Sequence, residues 1–162
     1  MVYNLALHYV QNSEDAEEIT QDVFVSVFKS LDDFNKNAKV STWIYRITIN
    51  KSLDFLKAKS SKKRFGFLTS LFHADSNEVK HDISTFDHPG VQLESKEAIQ
   101  QLFSLINTLP ENQKTVLILV KIENKSPMEV AEIMKMSYKG IESLLQRAKT
   151  NLANKINTAK DN

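Results

Sequence analysis

The chain predicts an all-α fold made of two small helical domains, and three observations carry that prediction. Its 162 residues include only three Gly and three Pro, too few turn residues for a many-stranded fold. All six (Gly66, Pro89, Gly90, Pro110, Pro127, Gly140) lie at or beyond position 66, so nothing punctuates residues 1–65. Apolar residues recur at three- and four-residue steps through both the early and the late parts of the chain, which is the period of an amphipathic helix. Between them, residues 66–92 mix Ser, Asn, Asp, His and Phe without that period. Length allows one ordinary domain or two small ones, and the predicted division is 1–65, a flexible linker at 66–95, and 96–162.

Each element has its own signal. Ser13 followed by Glu14, Asp15, Glu17 and Glu18 combines a capping residue with acids at the positive end of a helix dipole, so a helix starts there. Two apolar rows continue it, Ala16, Ile19, Val23, Val27 and Phe24, Phe28, Leu31, and its other side displays Glu18, Gln21, Asp22 and Lys29. Asp32 to Val40 breaks the period with Asp and Asn and reads as a loop. Ser41 or Thr42 then caps a helix running to about Lys59, with Trp43, Ile44, Ile47, Leu53 and Leu56 as its apolar positions. Arg46, Asn50, Asp54 and Lys57 share another face; Asn is a poor interior helix residue, so its place in line with Arg46 points to nucleic-acid hydrogen bonding or to a wet surface.

A short helix at 67–72 is all that the linker predicts. The period returns at Leu93, where Ala98, Leu102, Leu105, Ile106 and Leu109 form a stripe. Pro110 opens the next helix, which carries Val116, Leu117, Leu119, Val120 and Ile122 and ends near Asn124. Ser126-Pro127-Met128-Glu129 is a capping box with Pro at the first helical position. A short helix therefore spans about 127–134, Lys135-Met136 turns, and Ser137 caps a long helix through Ile141, Leu145, Ala148, Leu152 and Ile156. Short helix, tight turn and long helix is the DNA-binding helix-turn-helix arrangement, although other helical bundles contain a similar turn. The outward face of the long helix presents Lys139, Ser143, Gln146, Arg147 and Thr150, groups able to meet phosphates and base edges.

Charge is segregated beneath a formal net charge of +1. Residues 14–33 hold seven acids and one base; residues 34–64 hold nine bases and one acid, Asp54. Residues 65–97 hold six acids and two bases, and 139–160 hold five bases and one acid, Glu142. Two separate basic segments suit two contacts with a polyanion, which gains affinity by counterion release. Solvated helix faces are the plainer reading of the same runs.

Several functions are disfavoured. Without cysteine there is no disulfide framework, Cys-ligated zinc or thiol nucleophile, and the reducing cytoplasm is the expected compartment. No apolar run approaches the roughly 18 to 20 residues of a membrane span, and the N-terminus carries no basic segment of a secretory signal. His73, His81 and His88 are too widely spaced for a helical metal pair, so neither metal nor cofactor is expected. Neighbouring acids such as Glu17-Glu18 and Asp32-Asp33 do not share a helix face. No His-Glu-x-x-His, P-loop or Gly-x-Ser-x-Gly motif occurs, and a non-enzymatic protein is expected.

The two halves together resemble bacterial RNA polymerase sigma factors of the extracytoplasmic-function (ECF) group. The first half resembles their region two across Asn12 to Phe24, at Phe34, and across Ser41-Thr42-Trp43-Ile44-Tyr45-Arg46-Ile47 with Asn50 and Asp54. The second resembles region four across Leu109 to Leu117, Glu129 to Met134 and Gln146-Arg147-Ala148-Lys149. The resemblance implies an initiation factor that binds core RNA polymerase and directs it to promoter DNA. It implies docking of Glu18, Gln21 and Asp22 on the clamp helices of the largest polymerase subunit. Asn35, Asn37, Lys39, Trp43, Arg46, Asn50, Lys51 and Asp54 would handle the minus-ten element, with Trp43 mainly packing. Lys139, Ser143, Gln146 and Arg147 would read the minus-thirty-five duplex.

An anti-sigma factor, often membrane-anchored in this group, is a further implied partner, with no direct membrane insertion by this chain. The chain departs from the family's pattern in lacking a further helix before Val2 to Val10, in carrying Glu142 and Leu144 where bases are frequent, and in placing Val40 where an aromatic is common. A stand-alone helix-turn-helix regulator is the alternative reading, and it gives the charged faces of the first half no role.

Overall fold

A computed structural model describes residues 1–32, 34, 38–72 and 93–160, with side chains undescribed at 63–72, 93–96 and 160. Its regular elements are all helices: α1 (Val2–Val10), α2 (Ser13–Lys29), α3 (Val40–Phe72), α4 (Leu93–Asn107), α5 (Glu111–Leu117) running into a π-helical turn (Ile118–Ile122), α6 (Pro127–Met134) and α7 (Tyr138–Lys160). No strand occurs among the described residues. Helices α1, α2 and α3 pack against one another, α7 packs on α4, α5 and α6, and α3 also touches α6.

Helix α1 ends where Gln11 turns left-handed at φ 57°. The Gln11 side-chain amide donates to the Leu7 and His8 carbonyls at 3.1 and 2.9 Å, supplying partners that the last turn of a helix lacks. The cap of α2 is Asn12, one residue before the expected Ser13: its backbone is extended and its Oδ1 accepts the Asp15 N–H at 2.8 Å. One expected apolar row of α2 is inside, with Ala16, Ile19 and Val23 buried. The other is in solvent. Phe24 is 56% and Phe28 81% exposed, and Leu31 is exposed beside them, because α1 and α3 cover only the Ala16 side.

Helix α3 is longer than the expected end at Lys59 and continues to Phe72, past the expected linker boundary at 66. Residues 73–92 of that linker, with His73, His81 and His88, lie outside the described residues, and its expected last three, 93–95, already belong to α4. Among the described side chains of α3, Tyr45 and Ile49 are the buried apolar ones, while Trp43, Ile44, Ile47, Leu53 and Leu56 are half-buried. Thr48 and Ser52 are also fully buried, each hydroxyl donating to the carbonyl four residues earlier at 2.8 Å. Small side chains with their polar groups satisfied locally let neighbouring helices approach closely.

In the second half the capping box is present as read: Ser126 Oγ accepts the Glu129 N–H, and Glu129 accepts the Ser126 N–H at 2.9 Å. Lys135 turns left-handed at φ 53° to close α6. Ser137 Oγ accepts the Gly140 N–H at 3.1 Å and opens α7. A Cβ at Gly140 would stand 3.1 Å from that same Oγ, so the missing side chain gives the cap its room. Helix α4 is rotated from the expected register. Phe103, Ile106 and Leu109 are buried, whereas Ala98 and Leu102 are exposed. The His8 ring from α1 stacks on Phe103, with centroids 5.9 Å apart and planes 7° apart, a long-range contact that local periodicity does not contain.

One buried cluster joins the halves. Leu5, Tyr9, Tyr45 and Ile49 of the first meet Val116, Ile118, Leu119, Val130, Ile133 and Ile141 of the second. Full burial of each such side chain contributes about 1.5–3 kcal/mol.

Candidate nucleic-acid interface

Three faces carry the residues singled out by the sequence. On α2, Glu18, Gln21 and Asp22 are all exposed, and their three- and four-residue spacing puts them on one side of the helix. The Phe24, Phe28 and Leu31 row runs alongside Gln21 at helical spacing, so an acidic strip and an apolar strip lie edge to edge. Periodicity found this second row but not its exposure, because an apolar row looks the same whether covered or bare.

On α3, Trp43, Arg46, Asn50 and Asp54 follow one another at steps of three and four along one face, with Lys51 at its edge. Lys39, Asn50 and Asp54 are exposed and Lys51 is half-buried. Trp43 is half-buried and packs on Phe34, ring centroids 4.8 Å apart, as expected of a mainly packing role. Asn35 and Asn37 lie outside the described residues. Arg46 is engaged elsewhere: its Nε donates to the Ile133 carbonyl at 3.1 Å and its Nη2 to the Glu132 carbonyl at 2.6 Å. Below it, Arg46, Asn50, Asn112, Thr115 and Lys135 line a cleft of about 270 Å³ between the halves.

On α7, Lys139, Ser143, Gln146 and Arg147 are exposed together. Buried Ile141, Leu144 and Ala148 anchor the opposite side; Leu144 thus stands in the core and takes no part in the outward face. Arg147 Nε reaches the Ser143 carbonyl at 3.4 Å and Thr150 Oγ1 donates to the Gln146 carbonyl at 3.1 Å. Tyr138, in the first turn and exposed, was not singled out by sequence. A hydrogen bond to Glu142 raises the Tyr138 phenol above its ordinary value, and pairs that carboxylate within the basic face.

A fourth group of polar residues fastens the halves together. Tyr9 Oη donates to Thr115 Oγ1 at 2.8 Å, and Lys114 Nζ donates to the Tyr9 carbonyl at 3.2 Å. Glu123 accepts from Tyr45 Oη at 2.9 Å and lies 3.2 Å from His8 Nδ1. The His8 contact holds the Glu123 carboxyl below its usual range, against the opposing effect of burial, with the Tyr45 bond helping. Burial pulls Lys114 down from 10.5 to about 8. Sequence assigned none of these residues a role in joining the halves, since each partner lies in the other half. No group of three or more His, Cys, Asp or Glu able to hold a metal occurs among the described residues.

A helix bundle followed by a capped helix-turn-helix with a basic outer face defines a DNA-binding transcription protein. The Sigma-70 region 2 family model matches residues 1–62, and the Sigma-70, region 4 model matches residues 99–152. The chain is 28% identical over 155 residues to an ECF RNA polymerase sigma-E factor of Haemophilus influenzae, covering 96% of this chain and 81% of that one. It is 26% identical to the factor of the same description in Escherichia coli K12, covering 96% and 80%. In fold it is similar to CnrH solved with the cytosolic domain of CnrY (TM-score 0.66, 19% identity, 97% of this chain and 80% of that one). It is also similar to the sigma factor RpoE solved with the anti-sigma factor NepR from Bartonella quintana (TM-score 0.62, 18% identity, 94% and 88%). The chain belongs to the ECF group of the sigma-70 family and is a transcription-initiation sigma factor. The stand-alone regulator is not favoured.

Proposed function

We propose that this sigma factor divides its work among the three faces, without chemistry of its own. The α2 face of Glu18, Gln21 and Asp22, with the flanking Phe24, Phe28 and Leu31, docks on core RNA polymerase. An acidic strip beside bare aromatics fits a partner helix that offers both basic and apolar side chains. The α3 stripe of Trp43, Arg46, Asn50, Lys51 and Asp54, with Asn35, Asn37 and Lys39 from the loop before it, holds the minus-ten element. An unstacked base exposes edges and a π-face that such a stripe can take up. Lys139, Ser143, Gln146 and Arg147 read the minus-thirty-five duplex from the major groove, Lys and Arg as phosphate or guanine contacts and Gln as an adenine contact.

The observation that carries this reading is the exposure of the α7 face on a helix capped by Ser137, with α6 and its capping box fixed beneath it. An anti-sigma protein is the regulatory partner. What supports it is that the two structures of similar fold were each solved with a second protein, one described as an anti-sigma factor. The site of action is the cytoplasm, where polymerase and promoter are; among the described residues no helix is long and apolar enough to cross a membrane.

Co-elution with purified bacterial core RNA polymerase tests the division of labour. Asp22→Lys should lose co-elution and keep duplex binding, and Arg147→Glu should do the reverse. Loss of the same activity in both variants would overturn the assignment.

A further inference from the structure

We infer that the second half holds a binding site for a single-chain carboxylic acid, in a cavity that no promoter or polymerase contact uses. Helix α4, the π-helical turn and α7 border a space of about 380 Å³. Its walls are apolar: Ile99, Phe103 and Ile106 come from α4, Leu117 and Ile122 from α5 and the turn after it, and Leu152 from α7. Two side chains depart from this, His8 on α1 and Lys121 on the turn. No residue assigned to polymerase or promoter lines the space.

A protein interior is close-packed and has few voids larger than a water molecule, so an apolar space of this size leaves wall atoms without partners. Phe103 and Ile106 form a small buried cluster apart from the one that joins the halves, and the half-buried Ile99, Ile122 and Leu152 close over it only in part. Helix α4 is therefore underpacked where α7 faces it. Such a space stays dry and takes an apolar ligand. A water occupies about 30 Å³ of liquid, so the cavity holds about a dozen atoms of that size, enough for an acyl chain of about ten carbons with its carboxylate.

The wall is built by an irregular turn. Across Ile118–Ile122 the helix widens to a π turn, and the Glu123 N–H donates to the Ile118 carbonyl at 2.9 Å, five residues back. The extra residue lets Ile118 and Leu119 enter the main core, both fully buried, while Lys121 and Ile122 line the cavity. Turns of this kind are rare and recur at functional sites. This one sets the cavity's single ammonium at the rim.

Charge decides the ligand class. Lys121 is exposed, and no carboxylate among the described residues pairs with it. The His8 ring is held by its own contacts, stacked on Phe103 and with Nδ1 3.2 Å from Glu123, so it serves as a flat piece of wall. No acid lines the cavity. One cation at the edge of an apolar pocket orients a ligand that is apolar along its length and anionic at one end. A cationic amphiphile meets like charge there, and the polar ring of a nucleotide would lose its water against walls that cannot replace it.

Calorimetric titration of the full-length protein with decanoate, below the concentration at which it self-associates, tests the site, with decyltrimethylammonium as the cation of equal chain length. One decanoate per chain should bind saturably, and the cation about fivefold more weakly. Lys121→Glu should weaken decanoate about fivefold and bring the cation to equal or better affinity. Ile99→Trp, which fills the cavity from α4, should abolish both; a cooperative melt checks that it folds, and Lys121→Glu decides alone if it does not. No binding of decanoate to the parent overturns the inference. So does equal affinity for the two amphiphiles in the parent, or decanoate binding left unchanged by Lys121→Glu. Binding lost in Phe28→Ser but kept in Ile99→Trp overturns it as well, by placing the amphiphile on the bare row of α2.

Discussion

Arg147 and Glu142 stand on the same exposed face of α7 and act on DNA with opposite sign. Each cation brought to a phosphate adds about one unit to the slope of log affinity against log salt, and a carboxylate there opposes it. Glu142→Lys should therefore steepen the slope by about one and tighten duplex binding at low salt. Arg147→Glu should flatten it by a similar amount. Anisotropy titrations of promoter duplex across a salt series measure both, and slopes unchanged in the two variants would remove α7 from the interface. The outward residues of α7 were legible because burial of Ile141 and Ala148 fixes which side faces out, and period alone reveals that side. The engagement of Arg46 was not legible, because its partners lie 86 and 87 residues away and only tertiary packing brings them to it.

Elements followed the sequence where their signals are local. The capping box at Ser126 and Glu129, the left-handed turn at Lys135 and the cap at Ser137 need only neighbours within a few residues. The start of α2 shows the usual slip of one residue. Asn12 and Ser13 are both capping types, and extended backbone at Asn12 decides between them. Asn12→Ala should destabilise the protein by about 1 kcal/mol in a denaturant titration; a loss of less than a few tenths would mean that the Asp15 N–H finds another acceptor. The α4 register and the bare row of α2 were misjudged for a common reason: each depends on what the rest of the fold lays against the helix. Phe28, 81% exposed, makes the point measurable. Phe28→Ser should leave stability within about 0.5 kcal/mol and weaken co-elution with polymerase, whereas a large loss of stability would place the ring in a core.

For the molecule as a whole, the two family regions were legible from their motifs and the contact between them was not, because it is built from side chains with no shared local pattern. That contact has a pH signature. Lys114 has a folded pKa of about 8 against an ordinary 10.5, so between those values the unfolded chain binds more protons and stability rises with pH. The slope is at most about 1.4 kcal/mol per pH unit. Below pH 8 the penalty is full and constant. Burial holds the Tyr9 and Tyr45 phenols above their ordinary 10.0, and this reverses the trend above pH 10, where the unfolded chain loses phenolic protons first. At the acid end Glu123, whose carboxyl lies below its ordinary 4.5, gives stability that is complete above that value and lost as pH falls through its folded pKa. Urea midpoints from pH 7 to 10 should climb in the parent and stay nearly flat in Lys114→Met; parallel curves would assign the rise to another group.

The Glu123 junction also limits how freely the halves of such proteins can be exchanged. A chimera that joined residues 99–152 of this chain to the first half of a distant relative would bring Glu123 without any assurance of a histidine and a tyrosine where His8 and Tyr45 stand. It would carry Lys114 without the Tyr9 carbonyl placed to receive it. Each graft could fold and still be a poor match for its new neighbour. Swaps intended to retarget promoter choice should therefore move these cross-partners as a set, and the seam between donor sequences belongs where none of those pairs is divided.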